Sequence, residues 1–285
     1  MNRLLCGLLT CSLLVGLTGP AQAQYTFATL DVPGAQVTEA FGINQAGQIV
    51  GVYQLVVGGV LHGFLLDVDG TYTTIDVPGA TFTLALGIND AGQIVGYYRD
   101  AAGTNHGFLL DMNGSFTTLD PPGALATDAF GINNAGQIVG GYDDAGGTHG
   151  FLLDADGSYI TLDVPEAATT FAEGINGAGQ IVGLYYADGR QQSFLLDVDG
   201  TYAAVLIPGA TGTYTFGIND AGQIVGYYSN PAIHGFVLDV DGSYTTLDVP
   251  GGSGTQAYRI NSLGQIVGQY AAGGRIHGFL ATPGG

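Results

Sequence analysis

The chain has 285 residues, with 24 Asp and Glu against five Arg, no Lys, and a net charge of −19 at pH 7. That excess repels phosphate backbones and anionic membranes, so nucleic acid is excluded as an expected partner. No second apolar segment of spanning length follows residue 23, so insertion of the mature chain into a membrane is not expected. Both cysteines, Cys6 and Cys11, precede residue 24. The remainder is therefore expected to have no disulfide and no cysteine-ligated metal.

In chain order, residues 1–23 read as a secretory signal peptide. Asn2 and Arg3 precede an apolar stretch from Leu4 to Leu17, then Pro20 and the small-x-small pattern Ala21-Gln22-Ala23, with cleavage expected before Gln24. The apolar stretch is short for a membrane-spanning helix. The mature chain, residues 24–285, is expected to be secreted to the periplasm or the extracellular space and to be a monomer. It reads as one domain.

That domain is one unit written repeatedly. Phe27 to Asp31 comes first and has the pattern that ends each later unit. Gly42-Ile43-Asn44 then recurs at Gly87, Gly131, Gly174 and Gly217, with a sixth copy at Arg259-Ile260-Asn261; the steps are 45, 44, 43, 43 and 42 residues. Each copy continues into Gly-Gln-Ile-Val-Gly, a variable stretch, His-Gly-Phe-Leu-Leu-Asp, and Tyr-Thr-Thr-Leu-Asp-Val-Pro-Gly or close variants. These are four short β-branched and aromatic runs, A to D, punctuated by Gly and Pro. Gln45-Ala46-Gly47 joins A to B and Val68-Asp69-Gly70 joins C to D. Both read as three-residue hairpin loops whose last Gly takes the left-handed conformation, with Asn44 and Asp67 capping the turn.

Four strands in 40–45 residues is the period of a propeller blade. The expected fold is all-β: a six-bladed β-propeller with four strands per blade, strand A innermost, the N-terminal strand completing the last blade. A β-solenoid would have no use for the orphan strand D at the front.

The units resemble the HAF repeat of uncharacterised secreted bacterial proteins. The signature here is His-Gly-Phe, at His62, His106, His149, His234 and His277, with the companion segment Ile-Asn-x-x-Gly-Gln-Ile-Val-Gly. Gly stands where that family has Ala. The resemblance implies an extracellular repeat protein and no particular activity.

The hairpin register places His62 opposite Asp76, His106 opposite Asp120, His149 opposite Asp163 and His234 opposite Asp248. Across the ring closure it places His277 opposite Asp31. One unit has Gln192 and Leu206 instead, so both partners are absent together. The shared face with Phe64 and Leu66 predicts burial between blades and a structural role.

Chemistry-bearing motifs are sparse. Asp-x-Asp/Asn-Gly, as at Asp67, opens like a calcium loop but lacks the distal Glu, and a turn accounts for every residue. No cofactor or metal is expected. Glu39 and Glu173 are read as matching positions late in strand A, with Asp128 nearby, a carboxylate set of the kind glycoside cleavage uses. The B–C connections vary most, and Arg99, Asp143, Arg190 and Arg275 in or beside them are the candidate ligand-binding residues. The leading expectation is a non-enzymatic binding module for a glycan or protein on that loop face. The alternatives are a carbohydrate-active hydrolase or lyase with channel carboxylates, and a structural envelope component.

Overall fold

The computed structural model describes residues 14–15 and 25–284. The expected leader lies outside the described residues, apart from Leu14–Val15, which run parallel to Val205 and Leu206. Among the described residues no helix is long and apolar enough to cross a membrane.

From Tyr25 onward, 24 strands fall into sets of four. The first set comprises Val37–Ile43, Ile49–Gln54, His62–Leu66 and Tyr72–Ile75, each antiparallel to the next. Four more sets repeat that order. The last has only three consecutive strands, Ser253–Ile260, Ile266–Ala272 and Arg275–Pro283. Its outer place is filled by Tyr25–Leu30, antiparallel to the third strand with Tyr25 opposite Pro283 and Leu30 opposite Gly278. The orphan segment at the front thus supplies the strand missing at the back.

Local chemistry explains the repeat. The Asn44 side chain accepts the Gln48 N–H at 3.0 Å, while Gly47 closes the loop at φ 89°. Asp67 accepts the Val68 N–H at 2.8 Å, and Gly70 closes the second loop at φ 86°. Each Asp-x-Asp-Gly is therefore occupied by its own turn, with Asp69 accepting from Thr71. In strand A the register slips between Ala40 and Gly42, a β-bulge. The bulge brings the Glu39 carbonyl against Gly51, where a Cβ would be driven into that oxygen and to 2.7 Å from the Phe64 ring. Ile-Val-Gly must end in Gly for this reason.

The core is a set of six copies. Phe64, Phe108, Phe151, Phe194, Phe236 and Phe279 are all buried. Each is the Phe of His-Gly-Phe or its variant, and Tyr72 meets Phe64 edge-on at 5.4 Å. Burying one such ring stabilises the fold by about 1.5–3 kcal/mol.

Six buried asparagines join the units. Asn44 Nδ2 donates to the Asn89 carbonyl, Asn89 to Asn133, Asn133 to Asn176, Asn176 to Asn219 and Asn219 to Asn261; Asn261 returns to Asn44, all at 3.0–3.3 Å. The chain of hydrogen bonds ends where it began.

The five His–Asp pairs form in the expected register, with Nδ1 to carboxylate distances of 2.8–3.1 Å. The expectation that they are buried is wrong. The aspartates are 35–53% exposed, because each His stands at or near the solvent end of its strand, two residues short of the buried Phe. Each imidazole lies on a tyrosine of strand B, as His62 does on Tyr53 at 5.3 Å. In the fourth unit Ser193 replaces the Gly of His-Gly-Phe. Elsewhere a Cβ at that Gly would strike the strand D carbonyl, 2.8 Å away at Gly63. There the C–D ladder stops at Phe194 opposite Ala204, one pair earlier than Gly63 opposite Ile75. A diverging strand D cannot present an Asp to a His, which accounts for the joint loss.

Candidate ligand site in the channel mouth

Strand A of every unit faces a common central space. The residues just before the shared Gly or Arg259, namely Phe41, Leu86, Phe130, Glu173, Phe216 and Tyr258, form a girdle around it. With Leu84, Tyr97 and Arg259 they enclose a cavity of about 180 Å³. The girdle is apolar and aromatic apart from Glu173. Tyr258 stacks on Phe41 at 4.6 Å and meets Phe216 edge-on at 5.3 Å.

Arg259 is the floor. It stands where five units have Gly, at the point nearest the axis. Its two terminal nitrogens donate to the carbonyls of Phe216, Tyr258, Phe130 and Glu173 at 2.5–3.1 Å, tying four successive units together. Burial lowers its pKa to about 10, opposed by the nearby Glu173 carboxylate. It remains a cation at neutral pH, with all four terminal N–H donors spent.

One carboxyl, Glu173, lines this space, and two more, Glu39 and Asp128, act on its tyrosines. Burial pushes Glu39 up to about 7, and no cation offsets it. Burial pushes Glu173 to about 7 against the pull of Arg259, with Asp128 adding to the rise. Burial pushes Asp128 to about 6, opposed by the hydrogen bond it accepts from Asn105 at 3.0 Å and by Arg99. Their fields overlap. Tyr97 is pushed up to about 12 by burial and then by Asp128, with Glu173 and Glu39 contributing. Tyr258 is held well above its ordinary value by burial and then by Glu39.

The expected match between Glu39 and Glu173 fails by two residues. Counted back from the shared Gly, Glu39 aligns with Asp128, whereas Glu173 aligns with Phe41. Glu173 lines the cavity, and Glu39 and Asp128, two residues earlier in strand A, act with it on Tyr97 in the cavity wall. Among the described residues no group of three or more His, Cys, Asp or Glu is arranged to hold a metal.

The loop candidates do not converge. Arg99 donates to Asn105 at 2.9 Å and covers the Phe82 ring at 5.0 Å. Asp143 accepts from the Thr148 hydroxyl at 2.6 Å. Arg190 and Arg275 each follow a two-residue turn, Asp188-Gly189 and Gly273-Gly274, and face outward. Arg190 also lines a surface groove with Gln192, Leu206 and Pro208. Of the four, Asp143 and Arg99 act on the channel through Asp128, which Asp143 raises and Arg99 lowers, and Arg99 also acts on Tyr97. The girdle and Arg259 escaped sequence reading, although a lone Arg at a position otherwise held by Gly was the available signal.

No family model matches the chain, and no curated protein does. Solved structures do. A putative TolB from Agrobacterium tumefaciens aligns at 17% identity over 87% of this chain and 91% of that chain, with a TM-score of 0.63. A gluconolactonase from Xanthomonas campestris aligns at 15% identity over 91% and 90%, with a TM-score of 0.56. The Pyrococcus furiosus Trilobed protease β-propeller domain aligns at 9% identity over 89% and 83%, with a TM-score of 0.57. The fold is a β-propeller. In that architecture the innermost strands surround a central channel, which is where strand A stands here. At these identities the likeness carries the fold and nothing about the ligand.

Proposed function

We propose that this chain is a secreted, six-bladed propeller that binds a glycan or protein group in the mouth of its channel. The observation that carries the binding reading is the aromatic cavity above Arg259. It is concave and largely apolar, with a few polar groups converging on it, as ligand pockets are. It lies on the D–A and B–C side of the shared Gly position, so the variable loops stand around its rim. Six blades are supported by the asparagine circuit and by the pairing of Tyr25–Leu30 with the last unit. Secretion is supported by the leader pattern and by the resemblance to HAF-repeat proteins. A glycan is supported by the aromatic rings that line the cavity beside Glu173, and one propeller of similar fold is a lectin from Aleuria aurantia solved with Fucα1-6GlcNAc, at 13% identity and a TM-score of 0.51.

A hydrolase or lyase is the second reading. Three carboxyls with raised proton affinity, all acting on Tyr97 in the cavity wall, are the observation that favours it. Titration calorimetry of the mature protein against an oligosaccharide panel, with product release scored in parallel, tests both. Binding that is lost in Tyr258→Leu without turnover supports the binding module. Turnover abolished by Glu39→Gln supports the enzyme. Binding indifferent to Tyr258→Leu but lost in Arg190→Ala or Arg275→Ala moves the site to the loops and overturns the channel reading.

A further inference from the structure

The ligand's charge can be read from the same cup, and this step rests on the channel being the binding site. We infer that the channel mouth recognises an organic ammonium, either a small methylated amine or the free amino group of an amino sugar. Aromatic side chains line the space, namely Phe41, Phe130, Phe216, Tyr97 and Tyr258. A ring face attracts a cation through its quadrupole, and a cage of several such faces suits a substituted ammonium, whose methyl or methylene groups also fill apolar volume. A cavity of about 180 Å³ accommodates one such group or one sugar ring.

Charge points the same way. Glu173 lies in the girdle itself, Glu39 acts on Tyr97 and Tyr258 in the cavity wall, and Asp128 acts on Tyr97. Glu39 has no hydrogen bond and no cationic partner among the described residues. The two cations near the lumen are committed elsewhere. Arg259 spends its four terminal N–H groups on main-chain carbonyls, and Arg99 is held by Asn105 and the Phe82 ring. An anionic ligand would meet acids without a free donor, on a protein of net charge −19. A neutral ligand would leave Glu39 desolvated without a cation, and Glu173 and Asp128 only partly offset by Arg259 and Arg99. An ammonium compensates them, and the field of the whole chain draws it to the mouth.

Calorimetry with tetramethylammonium, a glucosamine oligomer and the matched N-acetylglucosamine oligomer tests this. Both cations are expected to bind, with the acetylated oligomer at least tenfold weaker than its amine counterpart. Glu173→Gln and Glu39→Gln, which keep size and differ in position, are each expected to weaken cation binding at least tenfold. Circular dichroism and melting check that each variant folds. Binding of tetramethylammonium alone assigns the small methylated amine; binding of the glucosamine oligomer as well assigns the amino sugar. Equal binding of the acetylated and free-amine oligomers, still lost in Tyr258→Leu, overturns the ammonium and leaves the channel site standing. Cation binding that ignores both Gln variants and vanishes in high salt is diffuse adsorption and overturns the proposal. Absence of binding to all three probes overturns it too.

Discussion

Single residues carry information because six copies of each position can be compared within one chain. A buried Thr hydroxyl early in strand A accepts the N–H of the residue before the D–A turn's Pro: Thr38 from Val32, Thr83 from Val77, Thr170 from Val164, Thr213 from Ile207 and Thr255 from Val249, at 3.0–3.2 Å. In the third unit the donor position is Pro121, which has no N–H, and Thr127 Oγ1 is left buried without a partner. Pro121→Val is therefore expected to raise stability by about 1 kcal/mol, the gain of one buried hydrogen bond less the lost rigidity of Pro. Thermal melting of Pro121→Val, Thr127→Val and the double variant checks it; Thr127→Val should cost stability only in the Pro121→Val background. The His–Asp pairs teach the opposite lesson. Their partners were legible, because a hairpin loop of known length fixes who faces whom. Their burial was not, because the alternation of His62 with Phe64 says nothing of how far a strand end protrudes. With Asp76 46% exposed, Asp76→Asn is expected to cost under about 1 kcal/mol, as surface pairs do. A loss of several kcal/mol in melting experiments would contradict that. His106 and His149 each touch a second carboxylate, Asp100 at 3.6 Å and Asp144 at 3.4 Å. Their pKa values are raised above 6.5, first by Asp120 and Asp163 respectively.

At the scale of elements, the A–B hairpin performs two tasks with one side chain. Asn44 Oδ1 accepts the Gln48 N–H across its own turn, and Nδ2 donates both to Gln48 Oε1 at 2.8 Å and to the next unit's Asn89 carbonyl at 3.2 Å. Turn formation and docking of neighbouring units are thereby coupled. Asn44→Ala removes a cap and leaves a buried carbonyl without its donor, an expected loss of roughly 2–4 kcal/mol. Asn44→Asp keeps the acceptor but sets a carboxylate against two oxygens, and it should be no less damaging. Chemical denaturation of both variants measures this; a loss within 0.5 kcal/mol, about the ordinary surface scatter, would refute the coupling. The hairpins, their positive-φ glycines and the capping Asn and Asp were readable in sequence because turn chemistry is local. The channel girdle was not. Phe41 and Glu173 each sit in the β-bulge of their own strand A, after Ala40 and after Ala172, and a bulge shifts which residues share a face. The offset between Glu39 and Glu173, by contrast, stands in the repeat itself, three residues and one residue before the shared Gly. Arg259 was equally hidden, since the carbonyls that hold it come from Phe130, Glu173, Phe216 and Tyr258, up to 129 residues apart in sequence.

For the whole molecule, acid balance and the pairing of the first strand with the last unit are the properties that no single unit possesses. Glu39 and Glu173 near 7 and Asp128 near 6 bind more protons folded than unfolded. Their contribution is fully present below the ordinary carboxyl values and is lost as pH rises through 6 to 7, up to about 3 kcal/mol for one such group. His106 and His149 act in the same direction, more weakly because they are exposed. The turn aspartates Asp69, Asp100, Asp144, Asp156, Asp199 and Asp241 are lowered by the backbone and side-chain hydrogen bonds they accept, so their contribution disappears below about pH 4. Melting temperature should therefore peak between about pH 4 and 6 and fall toward pH 8, with the fall flattened in Glu39→Gln; a maximum above pH 7 would contradict the raised acids. Closure is tested by moving the closing strand. Tyr25 faces Pro283 as Tyr72 faces Leu66, and five residues, Asp67 to Thr71, connect the latter pair. A permutant that starts at Gly34 and joins Pro283 to Tyr25 through Asp-Val-Asp-Gly-Thr would turn the last blade into a continuous hairpin like the others. Nothing else in the ring changes, so its melting temperature should stay within a few degrees of the parent. Omitting Tyr25–Leu30 instead uncovers the Phe279 ring, which Phe27 now meets edge-on at 5.8 Å, and leaves a strand edge bare. That truncation should unfold or aggregate. If it melts like the parent while the permutant does not fold, the leading strand is an accessory and the ring is held by the asparagine circuit alone.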